Sequence, residues 1–595
     1  MGEQAGVVAA ARTVSGRAWV WREADERSAL AMAQRYGLPE VVARLLAGRG
    51  IQGAEAERFL APKLTDWLPD PAHLRDLDRA VARLVAAVEN REPVGIITDY
   101  DVDGATSAAL VALVLGELGV ACRVLVPDRL VHGYGPHPAL LARLAATGIR
   151  LVLVLDAGTT AFEPLALARE QGFEVVVVDH HSQTGPLPPA LAIINPNRQD
   201  QISPVGHLAA VGVCFLLLLA LLQALRARGR DNVPDLFSYL DLVALGTVCD
   251  MVPLVGLNRA LVDEGLKIAA RNSRVGLAAL AQVAGLTALG EAQHFSFVLG
   301  PRLNAGGRLG RSELAVALLT ETDPLKAASL AAELDQLNRS RQQREQQVLA
   351  EAQALLEPQL KEGAPLLFAC RSGWHPGLLG IVAARLVDRF GLPVCLVAAD
   401  GPLLKGSARS VPGLDIGRVV LEARARALVR EGGGHPLAAG FTLDNATLRP
   451  FQRFLCEQAA AARLSARGAP PLLLDGSIVV SAVGPQLAAA IARLAPFGVG
   501  NPEPRFALLD AVPVETQIVG GHHIACLLLG GLGQGVRGIA FRAVGTPLGD
   551  RLLAGRTRLL LAGSVARDAW RGEIRVCFQI EDAALPAEAE PTPLG

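Results

Sequence analysis

Polar and apolar positions change period repeatedly along this chain. From residue 76 a helical pattern (LDRAVARLVAAVEN) gives way to a short unbroken apolar run (VGIIT), a second helix (ATSAALVALVLGEL) and another run near Cys122 to Val126. Helix (ALLARLAAT), run (Leu151 to Leu155), helix (EPLALAREQ) and run (Glu174 to Val178) follow. Short apolar runs without alternation predict strands buried on both faces. Helix and strand alternating at this spacing predict an α/β domain with a doubly wound parallel sheet over residues 76–260.

The rest of the chain follows other periods. Residues 1–75 carry three helical stretches (SALAMAQRYG, EVVARLLAGRG, EAERFLAP) and no residues that suggest chemistry, so they predict a helical lead-in. Residues 261–360 are mostly helical and end in a long amphipathic stretch from Ala327, a connector whose Arg339, Arg341 and Arg344 are expected in solvent. A second α/β pattern occupies 361–465: LLFAC, a helix opened by Trp374-His375-Pro376-Gly377, then PVCLVAA. Arg463 to Pro470 is expected to be a linker. Short alternating runs between glycine-rich turns over 471–585 predict a small β-barrel, and 586–595 a disordered tail.

Chemistry gathers where the apolar runs end. VGIIT leads into Asp99-Tyr100-Asp101-Val102-Asp103-Gly104, placing three acids in a strand-to-helix loop at the carboxyl edge of the sheet. The runs at 151–155 and 174–178 end on Asp156 and on Asp179-His180-His181, and the helical stretch LFSYLDLVALGTVC ends on Asp250. One acidic loop alone could be a solvated turn that caps a helix. Several such segments delivered to one edge are explained by a divalent cation, and carboxylate oxygens with imidazole suit Mn2+ or Mg2+.

Composition removes other classes. The 595 residues are 51% hydrophobic with 61 glycines and 37 prolines, long enough for several domains. A net charge of −1 rules out a global basic field, so any nucleic-acid site must be a local patch. The eight cysteines are scattered without a C-x-x-C pair and read as small core residues. The start of the sequence shows no signal-peptide pattern, which predicts a cytoplasmic protein. His207 to Leu225 is uncharged, yet it carries His207, Gly212 and Gln223 amid the acid-bearing region, so a buried helix is expected and no membrane span.

The Asp101/Asp103, Asp156, Asp179-His180-His181 and Asp250 series resembles the DHH phosphoesterase superfamily. Within it the pattern is most similar to the RecJ branch of single-strand-specific 5′→3′ exonucleases, since Asp99 is offered and Ile97 stands where other branches place a histidine. Leu299 to Gly310 (LGPRLNAGGRLG), read as a glycine-rich turn with two arginines, looks like a signature of that branch. Lys405 to Ser410 and Gly432-Gly433-Gly434-His435, read as two anion-binding loops, resemble the DHHA1-type domain that accompanies DHH in nucleases.

The resemblance implies two cations, Mn2+ or Mg2+, bridged by Asp156. Asp99 and Asp101 would serve one; Asp103, His180 and Asp250 the other. Asp179 would orient an imidazole, and His181 would face the scissile phosphate. Arg129, Arg302, Asn304, Arg308, Ser407, Arg409, Gly434 and His435 would position single-stranded DNA. The barrel is expected to be an OB-fold, with Pro496 to Phe506 as its lead-in and Phe541 and Trp570 as stacking candidates. Implied partners are single-stranded DNA, a single-strand-binding protein and a helicase, in DNA repair and recombination. Two alternatives stay open on the sequence: a DHH phosphodiesterase of short oligonucleotides or cyclic dinucleotides, and a non-catalytic DNA-binding scaffold.

Overall fold

The computed structural model describes residues 13–128, 131–183, 185–271, 274–401, 403–462, 471–531, 533–570 and 573–585. The linker expected at 463–470 and the tail at 586–595 lie outside them. The chain opens on a short strand, β1 (Trp19–Trp21), and the helices Glu26–Tyr36, Glu40–Gly48 and Glu55–Leu60. Helices this short cannot bury their apolar faces alone. Val42, Leu45 and Leu46 join Phe506, Leu508, Ile524 and Phe578 in one core, so the lead-in packs against the C-terminal barrel. Trp19 Nε1 donates to the fully buried Asp582, and β1 pairs in parallel with Leu472–Leu474.

The expected parallel sheet is present. Its strands are β2 (Val94–Thr98), β3 (Cys122–Leu125), β4 (Leu151–Leu155), β5 (Glu174–Val178) and β6 (Ala192–Ile194), in the order β3-β2-β4-β5-β6. Strand β6 is a departure: three residues give no readable period. Successive side chains enter opposite cores. Ile96, Leu153 and Val176 face the helices Val102–Glu117 and Ala210–Ala227, whereas Ile97, Val154 and Val177 face Pro138–Ala145 and Phe162–Glu170. The apolar helix Ala210–Ala227 is 67% buried, a core element of this lobe.

Leu299 to Gly310 is not a turn. Gly300–Arg308 is helical. Its glycines permit close approach, since a Cβ at Gly306 would lie 2.5 Å from the Arg311 carbonyl and one at Gly307 2.5 Å from the Tyr100 carbonyl. The helix Pro324–Lys361 has 38 residues, a rod of about 57 Å. Ala327, Ala331 and Leu334 sit in the core of the first lobe, and Val348, Ala352 and Leu356 in that of the second. Arg341 is not solvated as expected: it is tucked against Asn338 and Glu345.

The second lobe holds β7 (Leu367–Arg371), β8 (Val394–Ala398), β9 (Leu403–Arg409), β10 (Glu431–His435) and β11 (Ala438–Asp444), ordered β10-β11-β9-β8-β7. The two expected anion-binding loops are therefore strands. Glycine is demanded by packing at Gly406, where a Cβ would fall 2.2 Å from the Phe441 ring. After β12 (Leu472–Leu474) come β13 (Gly476–Val479), β14 (Phe506–Val519), β15 (His523–Leu529), β16 (Gly535–Ala540), β17 (Leu559–Trp570) and β18 (Glu573–Ala584). A β14–β17 pairing closes β14-β15-β16-β18-β17 into a barrel.

Candidate active site

The acids meet at the carboxyl edge of the first sheet. Asp101 caps the helix Val102–Glu117, its Oδ1 accepting from Gly104 N at 3.1 Å. Gly104 must lack a side chain because a Cβ there would lie 2.6 Å from the Asp99 carbonyl. Asp103 is 1% exposed, and its two oxygens accept from Ala210 N (2.7 Å) and Val211 N (3.0 Å). A helix N-terminus thus holds that carboxylate. Asp156 leaves β4 in the left-handed region (φ 56) and is buried. Asp250 ends the helix Leu240–Cys249.

Around His180 Nε2 stand Asp156 Oδ1 at 3.4 Å, Asp250 Oδ2 at 3.6 Å and Asp103 Oδ2 at 3.9 Å. Nε2 is thus the His180 ring atom turned toward these acids. Three sets of ligand atoms lie within 4.8 Å of one another: Asp99, Asp101 and Asp156; Asp103, His180 and Asp250; and Asp156, His180 and His181. Asp156 belongs to two of them, as a bridging ligand would.

Asp179 stands one step back. Its Oδ1 accepts from His180 N (2.8 Å) and His181 N (3.2 Å) and lies 2.8 Å from His181 Nδ1, while Oδ2 accepts from Thr159 N (3.0 Å). Residues beyond the sequence reading complete the frame. Asn195 donates to the His181 carbonyl (2.9 Å) and Asn197 to the His180 carbonyl (2.6 Å). Tyr134 donates to the Asp156 carbonyl at 2.9 Å and lies 3.2 Å from His181 Nδ1. The Asn195-Pro196-Asn197 turn just past β6 was the signal for the first two.

Charge explains what this cluster lacks. Burial, then Asp101, pushes Asp103 up to about 7. Burial, then Asp103 and Asp101, pushes Asp250 up to about 9, and burial with the neighbouring acids also raises Asp156. His180 is pushed down to about 4, by burial and then by His181. For His181 burial acts downward, but the hydrogen bond and charge of Asp179 overcome it and raise it to about 9. Asp179 is lowered despite its burial, by its hydrogen bond to His181 and that ring's charge. Asp156 Oδ1, His180 Nε2 and Asp250 Oδ2 are buried without a hydrogen-bond partner among the described residues. Buried acceptors aimed at one point without a donor fit a divalent cation.

The residues expected on DNA divide. Arg129 lies outside the described residues, and Asn304 is half-buried in the helix Gly300–Arg308. Arg302 pairs with Asp335 (2.9 Å) and donates to the Val298 carbonyl (2.7 Å), bracing the long helix. Arg308 donates to the Gly377 carbonyl at 3.2 Å, across the junction of the lobes. In the second sheet Arg409, Ala438 and His435 lie opposite one another across β9, β11 and β10, with Ser407, Gly440 and Gly433 in the next row on that face. Arg409, Ser407 and His435 share that face; the helix Pro376–Phe390 packs on it at Gly380, where a Cβ would lie 2.9 Å from Arg409 Nη2, so Arg409 and Ser407 are half-buried and His435 is exposed. Arg409 Nη1 donates to Ser407 Oγ at 3.2 Å. A Cβ at Gly434 would lie 2.2 Å from the Ala438 carbonyl, so close strand packing requires glycine there. Phe541 is 55% exposed on the barrel; the side chain of Trp570 lies outside the described set.

Comparison with known proteins agrees with this architecture. Residues 93–247 match the DHH family N-terminal domain, 363–462 the DHHA1 domain and 474–582 the RecJ OB domain. The chain is 37% identical over 543 residues to the single-stranded-DNA-specific exonuclease RecJ of Salmonella typhimurium, covering 87% of this chain and 91% of that one. It is 32% identical over 574 residues to its Bacillus subtilis counterpart, covering 95% and 71%. The crystal structure of RecJ from Thermus thermophilus in complex with Mn2+ superposes with a TM-score of 0.78 at 31% identity, covering 96% of this chain and 80% of that one. The Mg2+ complex gives 0.72 at 29% identity, covering 96% and 79%. By its acids, its three matched domains and these relatives, the chain belongs to the RecJ family.

Proposed function

We propose that this protein is a divalent-metal-dependent exonuclease that hydrolyses phosphodiester bonds of single-stranded DNA from the 5′ end, releasing mononucleotides. The observation that carries this reading is the set of Asp103, Asp156 and Asp250 oxygens within 4 Å of His180 Nε2. Asp99, Asp101 and Asp156 would hold one ion, and Asp103, His180 and Asp250 the other, with Asp156 shared. Bound Mn2+ or Mg2+ supplies an acidified water nucleophile and offsets charge on the phosphate and leaving oxygen.

The chain's own groups do the rest. Acting against burial, the hydrogen bond and charge of Asp179 raise His181 and favour its protonated ring. Asp179 engages Nδ1, so Nε2 is the nitrogen through which His181 meets the phosphate, stabilising charge or donating a proton to the leaving oxygen. Arg409, Ser407 and His435 bind the strand's phosphates from the facing lobe, and Arg308 holds the two lobes in register. Arg302 acts as a brace and Gly434 as a spacer, not as phosphate ligands.

The test is release of mononucleotides from 5′-labelled single-stranded DNA with Mn2+ or with EDTA, beside a duplex and a dinucleotide. We expect Mn2+-dependent release from the long single strand. Cleavage of the dinucleotide alone, or of nothing, would overturn the proposal.

A further inference from the structure

Asp250 is the one acid of the cluster carried by the carboxyl end of a helix, and its turn is strained. Met251, the next residue, has φ 61, a conformation that side-chain-bearing residues avoid unless their surroundings impose it. From there Val252 to Val255 leads to the helix Gly256–Ala269, with Leu254 buried in the first lobe's core. What grips this segment belongs to the other end of the chain. Leu254 N donates to the Val499 carbonyl at 2.7 Å. Gly498 and Gly500 let that loop sit flush: a Cβ at Gly498 would lie 2.8 Å from Leu254 Cδ1, and one at Gly500, where φ is +78, 3.2 Å from Pro253 Cβ.

The loop is itself locked by buried polar groups. Asn501, 1% exposed, donates to the Leu494 carbonyl (2.8 Å) and the Pro496 carbonyl (2.9 Å), and accepts from Arg49 Nε (3.0 Å). Arg259, 2% exposed and one helical turn beyond the Asp250 segment, donates to the carbonyls of Leu494 (3.0 Å), Ala495 (2.6 Å) and Pro496 (3.3 Å). Its guanidinium stacks on Phe59 at 3.7 Å and donates to the Phe59 carbonyl at 2.9 Å. On the inner side Asn258 donates to the Pro253 carbonyl at 3.0 Å. A buried arginine satisfied by carbonyls from two other regions costs desolvation that fold stability alone does not require.

We infer that the 494–501 loop of the barrel domain, with Arg259 and Asn501, is a positioning element that sets Asp250 for the ion shared with Asp103 and His180. This rests on reading Asp250 as a ligand. The barrel is then part of the hydrolytic centre as well as a platform for DNA: loosening the loop releases the Leu254–Val499 bond and lets Asp250 drift, while Asp99, Asp101 and Asp156, on segments the loop does not touch, stay in place.

The experiment titrates Mn2+ calorimetrically into full-length wild type, Asn501→Ala, Gly500→Ala and a control, Asp582→Asn, which weakens the barrel's contact with Trp19 and makes no hydrogen bond to the loop. Thermal unfolding and steady-state kinetics accompany each titration. We expect both loop variants to weaken one Mn2+ equivalent about tenfold and leave the other unchanged. Their kcat should fall with KM for DNA unmoved and recover at high Mn2+, and Asp582→Asn should bind Mn2+ as wild type does. Should Asn501→Ala not fold, Gly500→Ala decides. Wild-type isotherms in the folded loop variants, or an equal loss in Asp582→Asn, overturn the positioning role. Absence of Mn2+ binding by wild type overturns the metal reading itself, a distinguishable failure.

Discussion

The two faces that flank the junction of the lobes are built on opposite principles. On the first lobe, acids are withdrawn from water at strand and helix ends, which fixes their positions while burial raises Asp103 and Asp250. On the second, Ser407 and Arg409 lie half-buried beside Gly380 of the helix Pro376–Phe390, His435 is exposed in the same row, and Arg409 is held by hydrogen bonds to its own strand. An ion needs several ligands fixed to a fraction of an ångström, which only a rigid buried edge supplies. A sliding polyanion needs charge and clearance. The difference teaches where substitutions divide: changes in the first face should abolish chemistry, and changes in the second should weaken grip.

The largest effect is expected from His180→Ala or Asp156→Ala, each lowering kcat by about a thousandfold or more with circular dichroism unchanged. Full activity in either purified variant would erase the contrast. Next comes Arg409→Ala, which should raise KM for single-stranded DNA by about 10–100-fold, the worth of one charge-assisted phosphate contact, with Mn2+ binding intact. His435→Ala should act in the same direction and less. A loss of Mn2+ affinity equal to the loss of DNA affinity would merge the two faces.

A pH series sharpens the comparison. Asp103 and Asp250 titrate near 7 and 9 in the fold against about 4 in the unfolded chain, so the fold binds more protons and loses stability as pH rises through that window. His181, raised to about 9, adds loss of the same sign above about 6.5. His180, lowered to about 4, gains stability as pH rises from about 4 to 6.5, so the clear window lies between about 6.5 and 9. Metal-stripped protein should melt progressively lower across it, and Mn2+ should remove the trend. A flat melting profile without metal would contradict the buried-acid account. The smallest effect belongs to Arg302→Met, which should cost about 2 kcal/mol of stability and leave KM for DNA within twofold. A large rise in KM would return Arg302 to the phosphate.

Most of the first lobe was legible because its signals are local. A buried strand ending on an acid is visible in a handful of residues, and Asp99 to Asp103, Asp156 and Asp179 to His181 came to one edge as that pattern demands. Strand β6, with three residues, carries no period, and Asn195 and Asn197 were missed with it. Glycine misled the reading of the second lobe. At Gly406, Gly432 and Gly434 it marks close packing within strands, and at Gly306 and Gly307 it lets a helix meet the Arg311 and Tyr100 carbonyls. Glycine-rich sequence reads as a turn or a loop because its composition does not say which neighbour requires the missing side chain. The lead-in's attachment to the barrel joins Trp19 to Asp582, a separation no local pattern spans.

The central claim is that acids from distant segments share ions beside His180. Anomalous diffraction at the manganese edge from crystals grown with Mn2+ addresses it most directly. Two peaks are expected, one among Asp99, Asp101 and Asp156 and one among Asp103, His180 and Asp250, with Asp156 touching both. No peak there, or a peak only elsewhere on the molecule, would contradict the account.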